Sequence, residues 1–142
     1  MVTEIEDYGH WTLAEGVVHK DTDIGFVYKI VLKSGQTYIG KKSMISTRKK
    51  PVKLKNGNIV KRKTISESDW KNYTSSSTTI NEYIKEHGKH GIQFIILSFH
   101  SSKSHLSYYE AKLQFDNNVL FDENSLNGII NLRISKLTKG GY

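Results

Sequence analysis

The sequence predicts a single α+β domain, in which a small antiparallel β-sheet is flanked by helices. Two apolar, β-branched runs, residues 26–32 and 36–40, surround Lys-Ser-Gly, which is the pattern of a β-hairpin. Two later segments, 76–88 and 102–115, carry apolar residues at helical spacing behind polar caps, which indicates two helices. Between them, residues 92–99 (IQFIILSF) are too short and too continuously apolar for an exposed helix, and they predict a buried strand.

The composition of the 142 residues fits a domain that buries one hydrophobic core, with 37% hydrophobic and 25% charged residues. The sequence has no cysteine, which excludes disulfides and thiolate sites. The acidic start MVTEIEDY lacks the basic and then apolar residues of a signal peptide. No apolar run approaches the roughly 18 residues of a membrane span. We therefore expect a cytoplasmic protein.

The two ends of the chain show less regular patterns than its middle. Residues 1–24 are net acidic, contain Trp11 and have no clear period, so we expect a lead segment that is packed on the domain or partly mobile. The domain itself is expected over residues 25–142. Near its end, LNGIINLRI combines Asn-Gly with β-branched residues, which predicts a turn followed by a short strand.

The first hairpin carries one tyrosine on each strand, and the length of its loop decides whether the two meet. With a two-residue loop, Ser34-Gly35, the side chains of Tyr28 and Tyr38 point to opposite faces of the sheet. With a three-residue loop, Lys33-Ser34-Gly35, they share a face and Tyr28 lies opposite Gly40. We predict the three-residue loop, in which a glycine at position 40 leaves room for the Tyr28 ring and for a phosphate backbone.

Positive charge is concentrated in residues 41–63, which hold ten Lys or Arg and no acid, whereas the rest of the chain has a net charge of −3. Such a patch indicates a polyanion partner, most often nucleic acid; a solvated lysine-rich loop is the alternative. Within it, VKLKNGNIVKRK alternates about Asn56-Gly57, which predicts a basic β-hairpin that projects from the body, in an insertion at about 48–65. The residues expected to contact phosphates are Lys41, Lys42, Lys53, Lys55, Lys61, Arg62 and Lys63.

Several motifs with joint spacing resemble the GIY-YIG nuclease family over roughly residues 25–131. They are Val27-Tyr28, Tyr38-Ile39-Gly40, Arg48 ten residues beyond Tyr38, and Glu110 in a later helix. Two more features are similar to the phage-encoded, SegE-like branch of free-standing endonucleases. These are Trp70-x-x-Tyr73 followed by serines, and the ending LNGIINLRI.

Two positions depart from the family pattern. Phe26 stands where the family usually has glycine, and Val52 stands where many members have His or Tyr about one helical turn after the arginine. The role of that missing residue passes to Tyr73 or to a lysine such as Lys41 or Lys42, or it is absent; the sequence leaves these alternatives open.

The resemblance implies a compact α+β nuclease domain that hydrolyses phosphodiester bonds with one divalent ion, Mg²⁺ or Mn²⁺. It also implies a role for each matching position. These are Tyr28 and Tyr38 as the motif tyrosines, Arg48 as the catalytic arginine, Glu110 as the metal ligand, and Asn127 or Asn131 as the late asparagine. On this basis Gly40 and Asn127 are expected at the substrate.

The chemistry of these side chains suits such a reaction. Arg48 offers a permanent, planar charge to phosphate oxygens. Glu110 offers a carboxylate oxygen of the kind that Mg²⁺ prefers. On its helix, Glu110 lies at the edge of the stripe formed by Leu106, Tyr109 and Leu113, so we expect it to face a cleft.

The tyrosines are expected to act on water. A phenol is a poor base unless a cation or metal lowers its pKa, and the neighbouring lysines are suitable for this. Tyr38 is therefore our leading candidate for the group that orients or deprotonates the attacking water, with Tyr28 hydrogen-bonding beside it and Tyr73 as a further catalytic candidate.

Taken together, these features predict a metal-dependent DNA endonuclease that acts on double-stranded DNA, in the host cytoplasm if the chain is phage-encoded. Two alternatives remain. One is a catalytically inactive nucleic-acid-binding module of the same fold. The other is a nuclease that acts on RNA or branched DNA. Nothing in the sequence indicates the oligomeric state.

Overall fold

The computed structural model of the chain describes residues 7–133 and 135. In chain order, the strands and helices are β1 (Thr12–Leu13), β2 (Gly25–Val31), β3 (Thr37–Ser43), β4 (Ile45–Lys53), β5 (Ile59–Glu67), a 3-10 turn (Trp70–Asn72), α1 (Thr78–His87), β6 (Gln93–His100) and α2 (Lys103–Asp116). Four strands form one sheet in the order β1-β6-β2-β3. The short β1 runs parallel to β6, and the other pairs are antiparallel, which confirms the predicted α+β class.

The sheet separates two hydrophobic clusters. On one face, Phe26, Tyr28 and Ile30 of β2 pack with Trp11 and Trp70. On the other face, Val27 and Ile39 pack against Leu106 of α2, together with Val119. Phe26, which stands where the family usually has glycine, is fully buried and belongs to the core.

The first hairpin has the predicted register. Tyr28 lies opposite Gly40, and Ile30 lies opposite Tyr38. The loop has three residues, because Leu32 N–H donates to the Gln36 carbonyl at 2.8 Å. Gly35 takes the left-handed conformation, with φ of +92°. Both tyrosines therefore lie on the face of the sheet that contains Trp11 and Trp70.

The predicted basic hairpin is also present. Strands β4 and β5 pair antiparallel over nine residues each, longer than the sequence indicated, and among the described residues they pair with no strand of the four-stranded sheet. Leu54 N–H donates to the Asn58 carbonyl at 2.8 Å, and Gly57 has φ of +85°, so the turn repeats the three-residue design of the first hairpin. Every side chain of β5 is exposed. We call this hairpin the ribbon.

Both predicted helices form with the expected caps. The Ser77 hydroxyl accepts from Ile80 N–H at the start of α1, and Gly88 follows its end with φ of +72°. The Ser102 hydroxyl accepts from His105 N–H at the start of α2. The predicted buried strand is β6, displaced by one residue at each end.

The strand predicted within LNGIINLRI is wrong for the described residues 126–133, which form no regular element. The chain touches β3 just before this point, where Thr37 N–H donates to the Asn124 carbonyl and Leu126 N–H donates to the Thr37 carbonyl. The Asn127 side chain then replaces a backbone partner on β3, so the chain leaves the strand edge. Ile129 remains 65% exposed. Ile134 lies outside the described residues.

The lead segment is part of the fold from residue 7 onward. Trp11 is 5% exposed, and its Nε1–H donates to the Trp70 carbonyl at 2.6 Å. His10 stacks on Phe94 with ring centroids 3.8 Å apart, and its Nε2 lies 2.9 Å from the Tyr73 carbonyl. The described part of this segment therefore fixes the 3-10 turn and the residues that follow it. No helix in the described part of the chain has the length and apolar character to cross a bilayer.

Two histidines make the stability of the fold depend on pH. Burial, then the Lys89 charge, lowers the pKa of His10 from 6.5 to about 4, and burial lowers the pKa of His100 to about 4. Between these values the unfolded chain binds protons that the folded chain does not. The free energy of unfolding should therefore fall as the pH is lowered from 6.5 to about 4. Urea denaturation of wild type and of a His10→Gln, His100→Gln variant measures the difference, and the variant should show a flatter profile.

The control is a His87→Gln, His90→Gln variant, since both of these histidines are exposed. It should follow the wild-type profile. Equal pH profiles for wild type and the His10, His100 variant would contradict the prediction.

Candidate active site

A cleft of about 410 Å³ lies at the outer edge of β3, and we call it the tyrosine cleft. The predicted site residues that it brings together are Tyr28, Tyr38, Gly40, Lys41, Tyr73, Glu110, Asn127 and Asn131. These residues come from four separate parts of the chain: β2, β3, the segment after the 3-10 turn, and α2 with its following loop. Ser76 and Gln114 also line the cleft.

Gly40 makes the cleft possible. A Cβ atom at this position would lie 2.5 Å from the Tyr28 hydroxyl oxygen and 3.0 Å from Tyr38 Cε1. Both distances are too short for any residue with a side chain unless the rings move. As predicted, the absent side chain of Gly40 leaves room for the Tyr28 ring, whose hydroxyl thereby reaches the edge of the sheet.

Three tyrosine rings meet at this point. The ring of Tyr28 lies 6.2 Å from that of Tyr38 and 6.1 Å from that of Tyr73, measured between centroids. The hydroxyl oxygens of Tyr38 and Ser76 are 3.2 Å apart, which orients the Tyr38 phenol. The Lys42 ammonium lies 4.2 Å from the centre of the Tyr73 ring and forms an ion pair with Asp69 at 2.7 Å.

The protonation of two phenols is set by burial rather than by lysine. Burial raises the pKa of Tyr28 far above its usual value, and the charges of Tyr38, Tyr73 and Glu110 raise it further. Burial also raises the pKa of Tyr73. Neither the pKa of Tyr28 nor that of Tyr73 is therefore lowered. Both remain protonated at neutral pH and can donate hydrogen bonds.

Glu110 is the carboxylate of the cleft. Burial raises its pKa from 4.5, while the Lys41 charge and the Lys41 backbone N–H oppose this shift. Because Lys41 Nζ also donates to the Ser107 hydroxyl at 2.6 Å, its ammonium is held beside α2. A cation that approaches this half-buried carboxylate, such as a metal ion, favours its charged form.

The donor set of the cleft fits one hard divalent cation. One turn after Glu110, the Gln114 amide donates to the Ile39 carbonyl at 3.0 Å, while its oxygen is buried without a hydrogen-bond partner. Nowhere in residues 7–133 and 135 do three His, Asp or Glu side chains cluster as a metal site. A single carboxylate, an amide oxygen and open space for water and phosphate suit Mg²⁺, which retains several waters in protein sites.

Asn127 has a structural task that the sequence did not indicate. Its Oδ1 accepts from Ile39 N–H at 2.9 Å and its Nδ2 donates to the Ile39 carbonyl at 2.8 Å. The side chain thus replaces a neighbouring strand at the edge of β3. Its expected contact with substrate stays a prediction.

Arg48 does not line the tyrosine cleft. It lies on β4 opposite Thr64 and lines a second cleft of about 650 Å³, which we call the polar cleft. Lys42 lines the polar cleft as well and reaches over Tyr73, so the two clefts are neighbours. Val52 pairs with Val60 on the ribbon and does not line the tyrosine cleft. Of the candidates for the missing family residue, Tyr73 and Lys41 line the tyrosine cleft.

Sequence reasoning missed Ser76 and Gln114. The helical spacing of Gln114, four residues after Glu110, places it on the same side of α2 and could have revealed it. Ser76 belongs to a run of serines in which nothing distinguishes one member from another. The remaining predicted phosphate contacts lie on the ribbon or its turn and are exposed. They are Lys53, Lys55, Lys61, Arg62 and Lys63.

Comparison with known proteins agrees with this architecture. The chain matches no curated protein and no solved structure. A family model described as "Putative endonuclease segE, GIY-YIG domain" matches residues 11–131, which include β1, the ribbon and every residue of the tyrosine cleft discussed above. Endonuclease domains act on nucleic acid, which is therefore the class of substrate. The chain belongs to the SegE GIY-YIG endonuclease domain family.

Proposed function

We propose that this protein is a metal-dependent endonuclease that hydrolyses phosphodiester bonds of double-stranded DNA in the tyrosine cleft. The observation that carries the proposal is the convergence of Glu110 with Tyr28, Tyr38 and Tyr73 around Gly40. A carboxylate and several phenols in one half-open cleft supply a metal ligand and hydrogen bonds for the same phosphate.

Glu110 would hold the Mg²⁺ or Mn²⁺ ion, with the unpartnered Gln114 oxygen available to it or to its water. When bound, the ion would supply positive charge for the phosphoryl oxygens and the leaving oxygen. Burial raises the pKa of Glu110, so without metal its carboxyl group retains a proton at low pH. Metal binding would displace that proton.

The tyrosines would act on the phosphate and the water. Tyr28 and Tyr73 stay protonated, so they donate hydrogen bonds to phosphate oxygens as negative charge develops. Tyr38 orients the attacking water, and its hydroxyl is held by Ser76. Arg48 adds a permanent positive charge from the polar cleft, where it stabilises the phosphate backbone beside the scissile bond.

The ribbon would hold the DNA. Its exposed lysines and arginines lie on a two-stranded frame, and such residues position the phosphate backbone without reading sequence. The absence of cysteine fits work in a reducing cytoplasm, which for a phage-encoded enzyme is that of the host. The rival function is a nucleic-acid-binding module without catalysis. The position of Arg48 outside the tyrosine cleft favours it.

Replacing Glu110 tests the catalytic proposal. Glu110→Gln retains the shape of the side chain but removes the charge that holds the metal. Nicking of supercoiled plasmid with Mg²⁺ or Mn²⁺ should fall at least about a hundredfold, while affinity for the same DNA without metal is kept. The control is Glu82→Gln, an exposed glutamate on α1, which should cleave like wild type.

Wild-type cleavage by Glu110→Gln would contradict the assigned site. Tight DNA binding by the wild type without any cleavage, in both metals, would favour the binding module. A panel of duplex DNA, branched DNA and RNA separates the proposed substrate from its two alternatives.

Gly40→Ala should disturb the tyrosines. The new methyl group would collide with the Tyr28 hydroxyl, so we expect a loss of roughly 1–3 kcal/mol in the free energy of unfolding. Cleavage should fall because the rings must move. Gly128→Ala is the matched control, since Gly128 lines the same cleft with nothing within 4 Å of its added Cβ. Urea denaturation and the plasmid assay measure both effects, and equal stability of the two variants would contradict the tight fit.

Metal binding should depend on pH through Glu110. Its raised pKa means that the metal-free folded protein retains a proton above pH 4.5, so Mn²⁺ affinity should rise with pH across that window. In the metal-free protein, the same shift lowers the free energy of unfolding as pH rises, and Glu110→Gln removes this decrease. Calorimetric Mn²⁺ titrations at several pH values measure the affinity. An unchanged affinity in Glu110→Gln would show that the metal binds elsewhere.

A further inference from the structure

The ribbon has two faces with different surroundings, and its register assigns each residue to one of them. Residues paired across the strands share a face, and the faces alternate along each strand. Lys50 pairs with Arg62, and the next pair along the ribbon is Lys49 with Lys63. These two pairs therefore carry equal charge at nearly the same distance from the four-stranded sheet, but on opposite faces. Lys53 and Lys61 extend the Lys49 face towards the turn, so the choice between the faces depends on what each one meets at the base of the ribbon and not on the number of cations.

The face that carries Lys50 and Arg62 continues towards the catalytic residues. Arg48 and Thr64 share this face, as do Ser46 and Ser66. Arg48, Lys50 and Thr64 line the polar cleft together with Lys42. Since the Lys42 ammonium lies over the ring of Tyr73, a row of cations and hydroxyl groups leads from the ribbon to the tyrosine cleft.

The base of the opposite face has a different character. Ile45 and Ile65 belong to this face, and with Trp70 they line an apolar cleft of about 590 Å³. Asp21 and Asp23 of the lead segment line it as well, and the Lys71 ammonium there is paired with Asp7 at 3.5 Å and Glu67 at 4.0 Å. Apolar and acidic groups disfavour a phosphate backbone, so a strand that followed Lys49 and Lys63 towards the body would meet repulsion.

The two acidic residues that line the polar cleft, Asp69 and Glu67, do not cancel this difference. Asp69 lies 2.7 Å from Lys42, so its charge is already paired. The pairing lowers the pKa of Asp69, chiefly through the hydrogen bond from Lys42. Glu67 lines both clefts and lies 4.0 Å from the Lys71 ammonium, so it does not distinguish them. Arg48 and Lys50 therefore leave the polar cleft with a net positive charge.

We propose that the nucleic acid backbone runs along the ribbon face that carries Lys50 and Arg62, through the polar cleft to the tyrosine cleft, and not along the face that carries Lys49 and Lys63. The inference rests on the proposed nuclease function and names the path that its substrate takes. It also makes Arg48 the last cation of the ribbon that a phosphate meets before Lys42 and the tyrosines.

The two cross-strand pairs provide a matched experiment. A Lys50→Gln, Arg62→Gln variant and a Lys49→Gln, Lys63→Gln variant remove the same charge from exposed positions. Affinity for a duplex DNA is measured without metal over a range of salt concentrations. The Lys50, Arg62 variant should lose affinity on the order of tenfold or more, and its salt slope should fall by about 1.8, or roughly 0.9 per phosphate contact. The Lys49, Lys63 variant should lose less than about threefold by the same reasoning.

A second readout uses the absence of cysteine in the chain. A single thiol introduced as Lys50→Cys should be alkylated more slowly when duplex DNA is bound, whereas one introduced as Lys49→Cys should react at an unchanged rate. This comparison needs no loss of affinity, so it remains informative if many weak contacts share the binding.

The outcomes separate the two proposals. Equal loss of affinity in both double variants, or equal protection of both thiols, would overturn the path while leaving the nuclease function intact. A wild-type protein that binds no nucleic acid would overturn the proposed function and the path with it. If both double variants bind and cleave DNA as well as the wild type does, the DNA lies on another surface.

Discussion

The pairing of Tyr28 with Gly40 across β2 and β3 is the constraint on which the site depends. Strand side chains alternate between faces, so a shift of one residue would move Tyr38 away from Tyr28 and place a side chain where the Tyr28 hydroxyl now lies. The same register turns Ile39 towards α2, where it packs with Leu106. One three-residue turn, ending in a left-handed Gly35, thus places the tyrosines on one face of the sheet. It places the surface that packs against α2, the helix of Glu110, on the other face.

The outer edge of β3 is held by side chains rather than by another long strand. Both the Asn127 amide and the Gln114 amide bond to the backbone of Ile39, the residue before Gly40. An edge strand without such partners would expose unpaired backbone groups. Because Gln114 follows Glu110 by one helical turn, its bond to Ile39 also holds the carboxylate at a defined height beside the tyrosines. Fold and site therefore depend on the same few hydrogen bonds.

The ribbon and the rest of the described fold, which we call the body, have different roles. The body buries aromatic side chains around Trp11, Trp70 and Phe26, and it holds the tyrosine cleft. The ribbon buries little, and its strands are held mainly by their own ladder and turn. Arg48 belongs to the ribbon, which explains why a short distance from Tyr38 in sequence does not place it in the same cleft. A basic ribbon beside the tyrosine cleft suits the proposed function, in which the ribbon positions a phosphate backbone while the cleft acts on one bond.

The sequence by itself determined the helices, their caps, both hairpins and the register of the tyrosines, because periodicity, capping hydroxyls and turn glycines act over a few neighbouring residues. The resemblance to the family also grouped Glu110, Tyr28 and Tyr38, which the structure brings together in the tyrosine cleft. Only the tertiary structure decided the place of Trp11 in the core, the use of Asn127 on a strand edge, and the division of Arg48 and Tyr38 between two clefts. Those outcomes depend on contacts between distant parts of the chain, such as Ile39 with Asn127, 88 residues apart, which no local pattern encodes.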